Sequence, residues 1–252
     1  MQEKDEKYTA LYKTQDKILE IVAREKLGLY LTGGTALQRF HFDSYRYSDD
    51  LDFFLLNNGD SNTNAKEFSA FVQSLKDSAI DFTITTQSPY FMQVIINKNN
   101  LKVDLVNDVV FHEYDFVKLD NGLIIDSIQN IFANKIETSI SRNEARDLFD
   151  IYTMLKYTSV SVCKGFELLG KKTNIIPNDV INNIKQIELT QMATFKNVTF
   201  KNDSIRDDFV ANFKDLINKR LTLETNLQKS PTIAHKPTTH KNHTNDNDGM
   251  EL

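Results

Sequence analysis

Two aspartates with a spacing of two residues stand at the start of an apolar segment, in the stretch "SDDLDFFLL" that begins at residue 48. Because alternate residues of a β-strand point to the same face, we expect the carboxylates of Asp50 and Asp52 to lie side by side. Two neighbouring carboxylates repel each other, and the pKa of one rises unless a cation is bound between them. Mg²⁺ prefers oxygen ligands of this kind. The pair therefore predicts a Mg²⁺ site.

A third carboxylate comes from Asp104, which apolar residues flank in the predicted strand "LKVDLVND". If this strand pairs beside the segment of Asp50 and Asp52, the three carboxylates form a two-metal clamp. Such a clamp activates an attacking hydroxyl and stabilises a leaving phosphate. We expect Asp104 to help deprotonate the hydroxyl of an acceptor.

A glycine turn, Gly33-Gly34-Thr35, follows the short apolar run "LYLT" and opens a predicted helix. Free backbone N–H groups and the helix dipole favour an anion such as a triphosphate there. Neither a G-x-G-x-x-G fingerprint nor a Walker-type GK[ST] is present, which disfavours a Rossmann or P-loop site. Taken singly, a glycine turn or an aspartate at a strand start is more often structural. Their combination favours catalysis.

The elements that must position these residues form two blocks. Apolar spacing predicts a helix over residues 6–27, ended by Gly28, and another over 64–78. Five strands are predicted: "LYLT", "DLDFFLL", "DFTITTQ", "FMQVIIN" and "LKVDLVND". From about residue 127 the pattern is helical: "SIQNIFANKIETSIS", "NEARDLFDIYTMLKYT", "VCKGFELLGKK", 177–188 and 205–228.

These blocks predict an α+β architecture, with a mixed β-sheet and flanking helices in a first domain of residues 1–126. A helical C-terminal domain of residues 127–228 follows. Residues 229–252 contain almost no apolar side chains, so we expect a disordered tail.

Composition excludes several classes of protein. Apolar residues make up 40% of the chain and charged residues 26%, which is ordinary for a soluble globular protein. The single cysteine, Cys163, excludes an internal disulfide framework and a thiolate zinc site. No apolar stretch approaches the roughly 20 residues of a membrane span, and the charged N-terminus is no signal peptide, so we expect a cytoplasmic protein with no membrane partner. A net charge of −5 argues against a protein that coats nucleic acid, and we assign the 17 phenylalanines to the core.

Three segments together resemble the AbiEii/AbiGii-type nucleotidyltransferase toxin family: "GGTAL", "RYSDDLDFF" and "IFANKIETSISRNEARDLFDIYTML". In that family GGTAL is followed by R-x-S-x-D-[IL]-D-[FL], a strand aspartate, and K-x6-R-x3-R-D-x2-D-[IL]-Y. The positions of this chain that fill the second and last patterns are Arg46, Ser48, Asp50 and Asp52, and Lys135, Arg142, Arg146, Asp147 and Asp150.

The resemblance implies a nucleotidyltransferase-like fold and a Mg²⁺-dependent toxin of a bacterial toxin–antitoxin or phage-defence system. Such a toxin transfers a nucleotide from an NTP to an RNA acceptor, tRNA ends among them, and has a cognate antitoxin. The implied catalytic residues are Asp50, Asp52, Asp104 and Lys135. The implied nucleotide-binding residues are Gly33, Gly34, Thr35, Arg46, Ser48, Lys135, Arg142 and Arg146.

The basic motif can also be interpreted physically on a helical wheel. The gaps of seven, four and four residues place Lys135, Arg142, Arg146 and Asp150 on one stripe, with Asp147 about a third of a turn away. In the functional interpretation Lys135 contacts the triphosphate, and the two arginines hold the NTP or the acidic cluster. Asp147 and Asp150 then orient those arginines. The alternative is an exposed helix in which Arg146 and Asp150 form a routine i, i+4 pair.

Two other functions remain open at this stage. One is a non-catalytic module that binds an NTP or a partner protein, whose sequence would be expected to lack a carboxylate or the lysine. The other is an enzyme that modifies a protein hydroxyl. All the carboxylates and the lysine are present, which weakens the first.

Overall fold

The protein was analysed as a computed structural model, and the structure describes residues 2–42, 45–56, 61–107, 112, 115–142, 144–173, 177–187, 189 and 198–229. One seven-stranded mixed sheet with flanking helices forms its centre. This confirms the predicted α+β class. None of the helices within the described ranges is both long enough and apolar enough to span a bilayer.

The five predicted strands are all present, and two further short ones are added. The strands are β1 Leu29–Thr32, β2 Leu51–Leu55, β3 Phe82–Gln87, β4 Phe91–Ile96, β5 Leu101–Val106, β6 Val117–Lys118 and β7 Ile124–Ile125. Their order in the sheet is β3-β4-β5-β2-β1-β7-β6. β2 pairs in parallel with β5 and antiparallel with β1, so the two aspartate-bearing strands are neighbours.

Helices surround the sheet and continue beyond it. They are α1 Gln2–Arg24, α2 Gly33–Ala36, α3 Ser61–Asp77, α4 Ile128–Arg142, α5 Ala145–Tyr157, α6 Val162–Lys172, α7 Pro177–Gln186 and α8 Asp203–Lys229. A π-helical turn, Leu37–His41, continues α2. The predicted division into domains of 1–126 and 127–228 stays a prediction. Apart from Lys229, the tail predicted to be disordered lies outside the described residues.

The sheet has two faces of different character. On β2, β4 and β5 every second residue is buried, and Leu51, Phe53, Leu55 and their neighbours enter one core with apolar side chains of α1 and α3. The alternate residues, which include Asp52 and Asp104, are only half-buried. We call this second side the front face, and it carries the candidate site.

The motif placed on one helical wheel is divided between two helices. α4 ends at Arg142, and α5 begins at Ala145 after Glu144, which has extended backbone angles (φ −96°, ψ 134°). The single stripe predicted for Lys135, Arg142, Arg146 and Asp150 was therefore wrong. Because the chain changes direction between the helices, Asp147, which the wheel places off the stripe, lies against Lys135.

Candidate active site

Strand register brings the predicted carboxylates together on the front face. Asp52 of β2 lies directly beside Asp104 of β5, and Asp104 lies beside Gln93 of β4. Asp50 immediately precedes β2 and lies one two-residue step away from Asp52. Asp50, Asp52 and Asp104 thus share one region of the sheet, as their period-two spacing predicts.

A lysine lies within this group of carboxylates. The Nζ atom of Lys102, on β5, is 3.0 Å from Oδ2 of Asp50 and 3.4 Å from Oδ2 of Asp104. Burial and the charge of Asp50 raise the pKa of Asp52. Burial alone would lower the pKa of Lys102, but Asp50 and Asp104 outweigh it and raise that pKa. The region therefore attracts positive charge, and the ammonium group of Lys102 supplies it.

The oxygen donors present fit a divalent cation in their chemistry, although their side chains are not arranged as a complete metal site. Among the described residues no three His, Cys, Asp or Glu side chains converge closely enough to hold a metal ion. The ammonium of Lys102 stands between two of the three carboxylates, where a cation is electrostatically favoured. Carboxylate oxygens are the ligands that Mg²⁺ prefers. Asp50, Asp52 and Asp104 are the residues that would hold it.

Asp104 is held in place by a side chain that the sequence analysis did not single out. Nε2 of Gln93 donates to Oδ1 of Asp104 at 2.9 Å, and the hydroxyl of Thr85 donates to Oε1 of Gln93 at 2.8 Å. The Gln93 contact fixes one carboxylate oxygen and leaves the other towards Lys102.

The glycine turn packs tightly against the same site. Gly33 has a φ of +71°, and a Cβ atom there would lie 2.5 Å from Oδ2 of Asp52. A Cβ atom at Gly34 would lie 2.1 Å from Nη2 of Arg46. Both positions exclude a side chain because these two functional groups already fill the space.

Thr35 and Ser48 are both buried and fix the loop before β2. The hydroxyl of Thr35 donates to the backbone carbonyl of Asp50 and lies 2.9 Å from Oγ of Ser48. Thr35 therefore positions the backbone of Asp50, and Ser48 contacts Thr35.

A buried ionic network joins the loop before β2 to helices α4 and α5. Arg46 donates from Nε to Oδ1 of Asp150 at 2.6 Å and from Nη2 to Oδ2 at 2.8 Å. The hydroxyl of Tyr45 donates to Oδ1 at 2.6 Å. Nζ of Lys135 lies 2.8 Å from Oδ2 of Asp150 and 2.7 Å from Oδ1 of Asp147. Two cations and two carboxylates thus neutralise one another.

The network shifts the pKa values of Asp150 and Lys135. Burial alone would raise the pKa of Asp150, but Arg46 and Lys135 outweigh it and hold that pKa well below its usual range. For Lys135, burial acts to lower the pKa, and Asp150 and Asp147 reverse the effect and raise it. Asp150 and Lys135 are therefore charged at neutral pH.

These partners differ from the predicted ones. Asp147 and Asp150 were expected to orient Arg142 and Arg146, but their carboxylates bind Lys135 and Arg46. Arg146 pairs instead with Glu144, with Nε 2.6 Å from Oε2. Arg142 is exposed and forms no ion pair with any residue that the structure describes. The break between α4 and α5 separates Arg142 from the two aspartates, whereas Arg146 lies on α5 with them but pairs with Glu144.

One cleft of about 490 Å³ connects these groups. Its floor is the front face of the sheet, and one side of α4 forms a wall, because Ile131, Asn134, Lys135, Thr138 and Arg142 follow helical spacing. Eleven predicted site residues line it: Gly33, Gly34, Arg46, Ser48, Asp50, Asp52, Asp104, Lys135, Arg142, Arg146 and Asp147. Thr35 and Asp150 lie behind the lining and support it.

Sequence analysis did not single out several residues of the strands that line or support the cleft: Phe54, Phe91, Lys102, Val106 and Gln93. Alternation along the predicted strands could have found them, because Phe54 shares a face with Asp52, and Lys102 shares one with Asp104. Assignment of all phenylalanines to the core was wrong for Phe54 and Phe91, which are half-buried and line the cleft.

Comparison with known proteins adds a family and two similar folds. The family described as "Nucleotidyl transferase AbiEii toxin, Type IV TA system" matches residues 18–229. The crystal structure of JHP933 from Helicobacter pylori is 17% identical with a TM-score of 0.55, over 88% of this chain and 96% of that one. An H. pylori protein proposed to be a nucleotidyltransferase is 17% identical with a TM-score of 0.58, over 87% and 97% of the two chains. At these identities the likeness is one of fold. No curated protein sequence matches this chain.

Proposed function

Because the chain belongs to the AbiEii nucleotidyltransferase toxin family and is a nucleotidyltransferase, we propose that it transfers a nucleotide from an NTP to an RNA acceptor of the tRNA type in a Mg²⁺-dependent reaction. The observation that carries this proposal is the placement of Asp50, Asp52 and Asp104 on one region of a cleft whose walls carry four basic side chains. Acidic ligands for a cation and basic groups for a polyphosphate are the two requirements of phosphoryl transfer.

The three carboxylates have two proposed roles, which are cation binding and proton transfer. Asp50, Asp52 and Asp104 would hold Mg²⁺, which supplies charge neutralisation at the transferred phosphate. Asp104 accepts the proton of the acceptor hydroxyl while the oxygen of that hydroxyl forms a bond to the α-phosphorus of the NTP. The bond from that phosphorus to pyrophosphate breaks in the same displacement. Gln93 keeps Asp104 in the orientation that this proton transfer requires.

Lys135 is proposed to bind the triphosphate from within its ionic network. An ammonium group has three N–H donors. Contacts at 2.7 Å to Asp147 and 2.8 Å to Asp150 use two of them, and Lys135 also lines the cleft. The remaining donor is available for a phosphate oxygen. Asp147 and Asp150 thus orient Lys135, whereas the sequence predicted that they would orient Arg142 and Arg146.

The two arginines and the glycine turn complete the proposed nucleotide site. Arg142 and Arg146 reach the cleft from the end of α4 and the start of α5. Their planar guanidinium groups suit phosphate oxygens. Gly33 and Gly34 line the same cleft, where their backbone N–H groups would contact phosphate oxygens, and Arg46 and Ser48 line it near the carboxylates.

The biological setting is proposed from the family. We propose a toxin that acts in the cytoplasm, where NTPs and tRNA are present, and whose toxic effect a cognate antitoxin counteracts. A role in phage defence belongs to the same proposal. The net charge of −5 means that RNA must be attracted locally, and the exposed Arg142 at the cleft supplies one such contact.

A labelling experiment tests the reaction and the acceptor together. Purified protein is incubated with Mg²⁺, total tRNA and each α-³²P-labelled NTP in turn, and the products are separated on a denaturing gel. We expect label on RNA from the wild type and none from Asp52→Asn. Asp208→Asn, which changes a carboxylate of α8 outside the cleft, is the matched control and should label like the wild type.

The other outcomes each have a definite meaning. Label on protein alone would replace the RNA acceptor with a protein hydroxyl. Binding of NTP without label on any acceptor would favour the non-catalytic module and contradict the proposed reaction.

A further inference from the structure

An apolar row crosses the front face one step beyond the carboxylates. Register pairs Phe54 of β2 with Val106 of β5, and Val106 with Phe91 of β4. Each residue is two positions from Asp52, Asp104 or Gln93, respectively, so this row lies about 7 Å from the carboxylate row. All three side chains are half-buried and line the cleft.

The row forms a broad surface that a side chain of the next strand restrains from one side. Three neighbouring strands span about 10 Å across their hydrogen-bonding direction. The next strand adds Tyr30, which is buried and pairs with Phe54. Its ring meets that of Phe54 edge-on, with centroids 5.8 Å apart and an interplanar angle of 67°. This contact restricts the ring of Phe54 before any ligand arrives.

Partly exposed phenylalanines are unexpected in a cleft with so many charges. The groups nearest along the strands are carboxylates and Lys102, and the wall opposite carries Lys135 and Arg142. Partly exposed aromatic rings next to a phosphate-transfer site suit a ligand that is both flat and apolar on its faces. A nucleobase has this chemistry, and stacking on an aromatic ring is tolerant of base identity.

We infer that Phe54, Val106 and Phe91 form a platform on which a nucleobase stacks, within one strand step of the carboxylates. This rests on the proposed function and adds to it the position of a base. The base can come from the NTP or from the terminal nucleotide of the acceptor, since both carry the same chemistry. The row is close enough to the carboxylates for either.

Binding measurements with and without a base test the platform. Dissociation constants are measured for ATP, GTP, CTP and UTP and for inorganic tripolyphosphate, all with Mg²⁺, on the wild type, Phe91→Ala and Phe54→Leu. If the platform holds the NTP base, Phe91→Ala should weaken binding of at least one NTP about tenfold and leave tripolyphosphate binding unchanged. Phe82→Ala, a half-buried phenylalanine of β3 outside the cleft, is the matched control and should change neither.

The second arm measures KM for total tRNA with the same variants. A KM that rises about tenfold while NTP affinity is unchanged would place the base of the acceptor on the platform. Unchanged NTP affinity together with an unchanged KM for tRNA, in a wild type that binds NTP, would overturn the platform and leave the proposed function standing. A wild type that binds no NTP would overturn both. Unchanged tripolyphosphate binding in Phe54→Leu, together with its melting temperature, reports whether this variant folds.

Discussion

The neutralisation of Asp150 should strongly destabilise the protein, and the change proposed is Asp150→Asn. The carboxylate is fully buried, accepts two hydrogen bonds from Arg46, one from Tyr45, and pairs with Lys135. Replacement by the amide leaves a buried cluster with two cations and only Asp147 as counter-charge. Removal of one partner from a buried ion pair costs about 3–5 kcal/mol. For a chain of this size that corresponds to a fall of roughly 10 °C in melting temperature.

The direction of the pH dependence follows from the lowered pKa of Asp150. Since this pKa is lower in the folded than in the unfolded chain, the stabilisation is fully present above the ordinary aspartate value of about 3.9. It disappears as the pH falls through the lowered pKa. The difference in free energy of unfolding between wild type and Asp150→Asn should therefore be constant near neutral pH and shrink in acid.

Thermal and urea unfolding at several pH values provide the assay. The control is Asp208→Asn, since Asp208 pairs with Lys156 where both side chains are about one-third exposed. Such a pair contributes at most about 1 kcal/mol. Lys135→Met in the Asp150→Asn background removes the surplus charge, so the double variant should lose less than the sum of the single losses. A shift for Asp150→Asn no larger than that of Asp208→Asn would refute the network.

Three further predictions concern the cleft. Asp52→Asn should abolish transfer yet stabilise the cation-free protein at neutral pH, because burial and Asp50 raise the pKa of Asp52 and its charged form therefore opposes folding. This gain in stability should vanish as the pH falls to the ordinary aspartate range. Melting curves in EDTA check this, and a variant less stable than the wild type would be inconsistent with the raised pKa. Lys102→Gln should tighten Mg²⁺ binding several-fold in a thermal-shift titration, since it removes the positive charge that competes for Asp50 and Asp104; weaker binding would disprove that competition. Arg142→Gln should weaken NTP binding roughly five- to tenfold and Arg146→Gln less, because only Arg146 has a carboxylate partner among the described residues; isothermal titration checks this, and equal effects would count against it.

Much of the sheet could be predicted because its signals are local. Alternation in "DLDFFLL" and "LKVDLVND" predicts two strands whose aspartates face one side, and the structure places those strands in parallel register. The short strands β6 and β7, of two residues each, carry too few side chains for any periodicity to be visible.

The partners of the basic motif could not be predicted from the helical wheel. A wheel assumes one continuous axis, and the extended backbone at Glu144 breaks that axis between Lys135 and Asp150. The bond from Arg46 to Asp150 joins residues 104 positions apart, which no local spacing encodes. Tertiary contacts, which local spacing does not encode, therefore determine which charged side chains form ion pairs.

The central claim is that the carboxylate row performs nucleotidyl transfer, and release of pyrophosphate measures this most directly. Wild type, Asp104→Asn and the control Asp208→Asn are incubated with NTP, total tRNA and Mg²⁺, with and without EDTA. The account predicts pyrophosphate from the wild type and the control, loss with EDTA, and a drop of at least about a hundredfold for Asp104→Asn, the size typical of a lost general base. Pyrophosphate release by Asp104→Asn at the wild-type rate would contradict it.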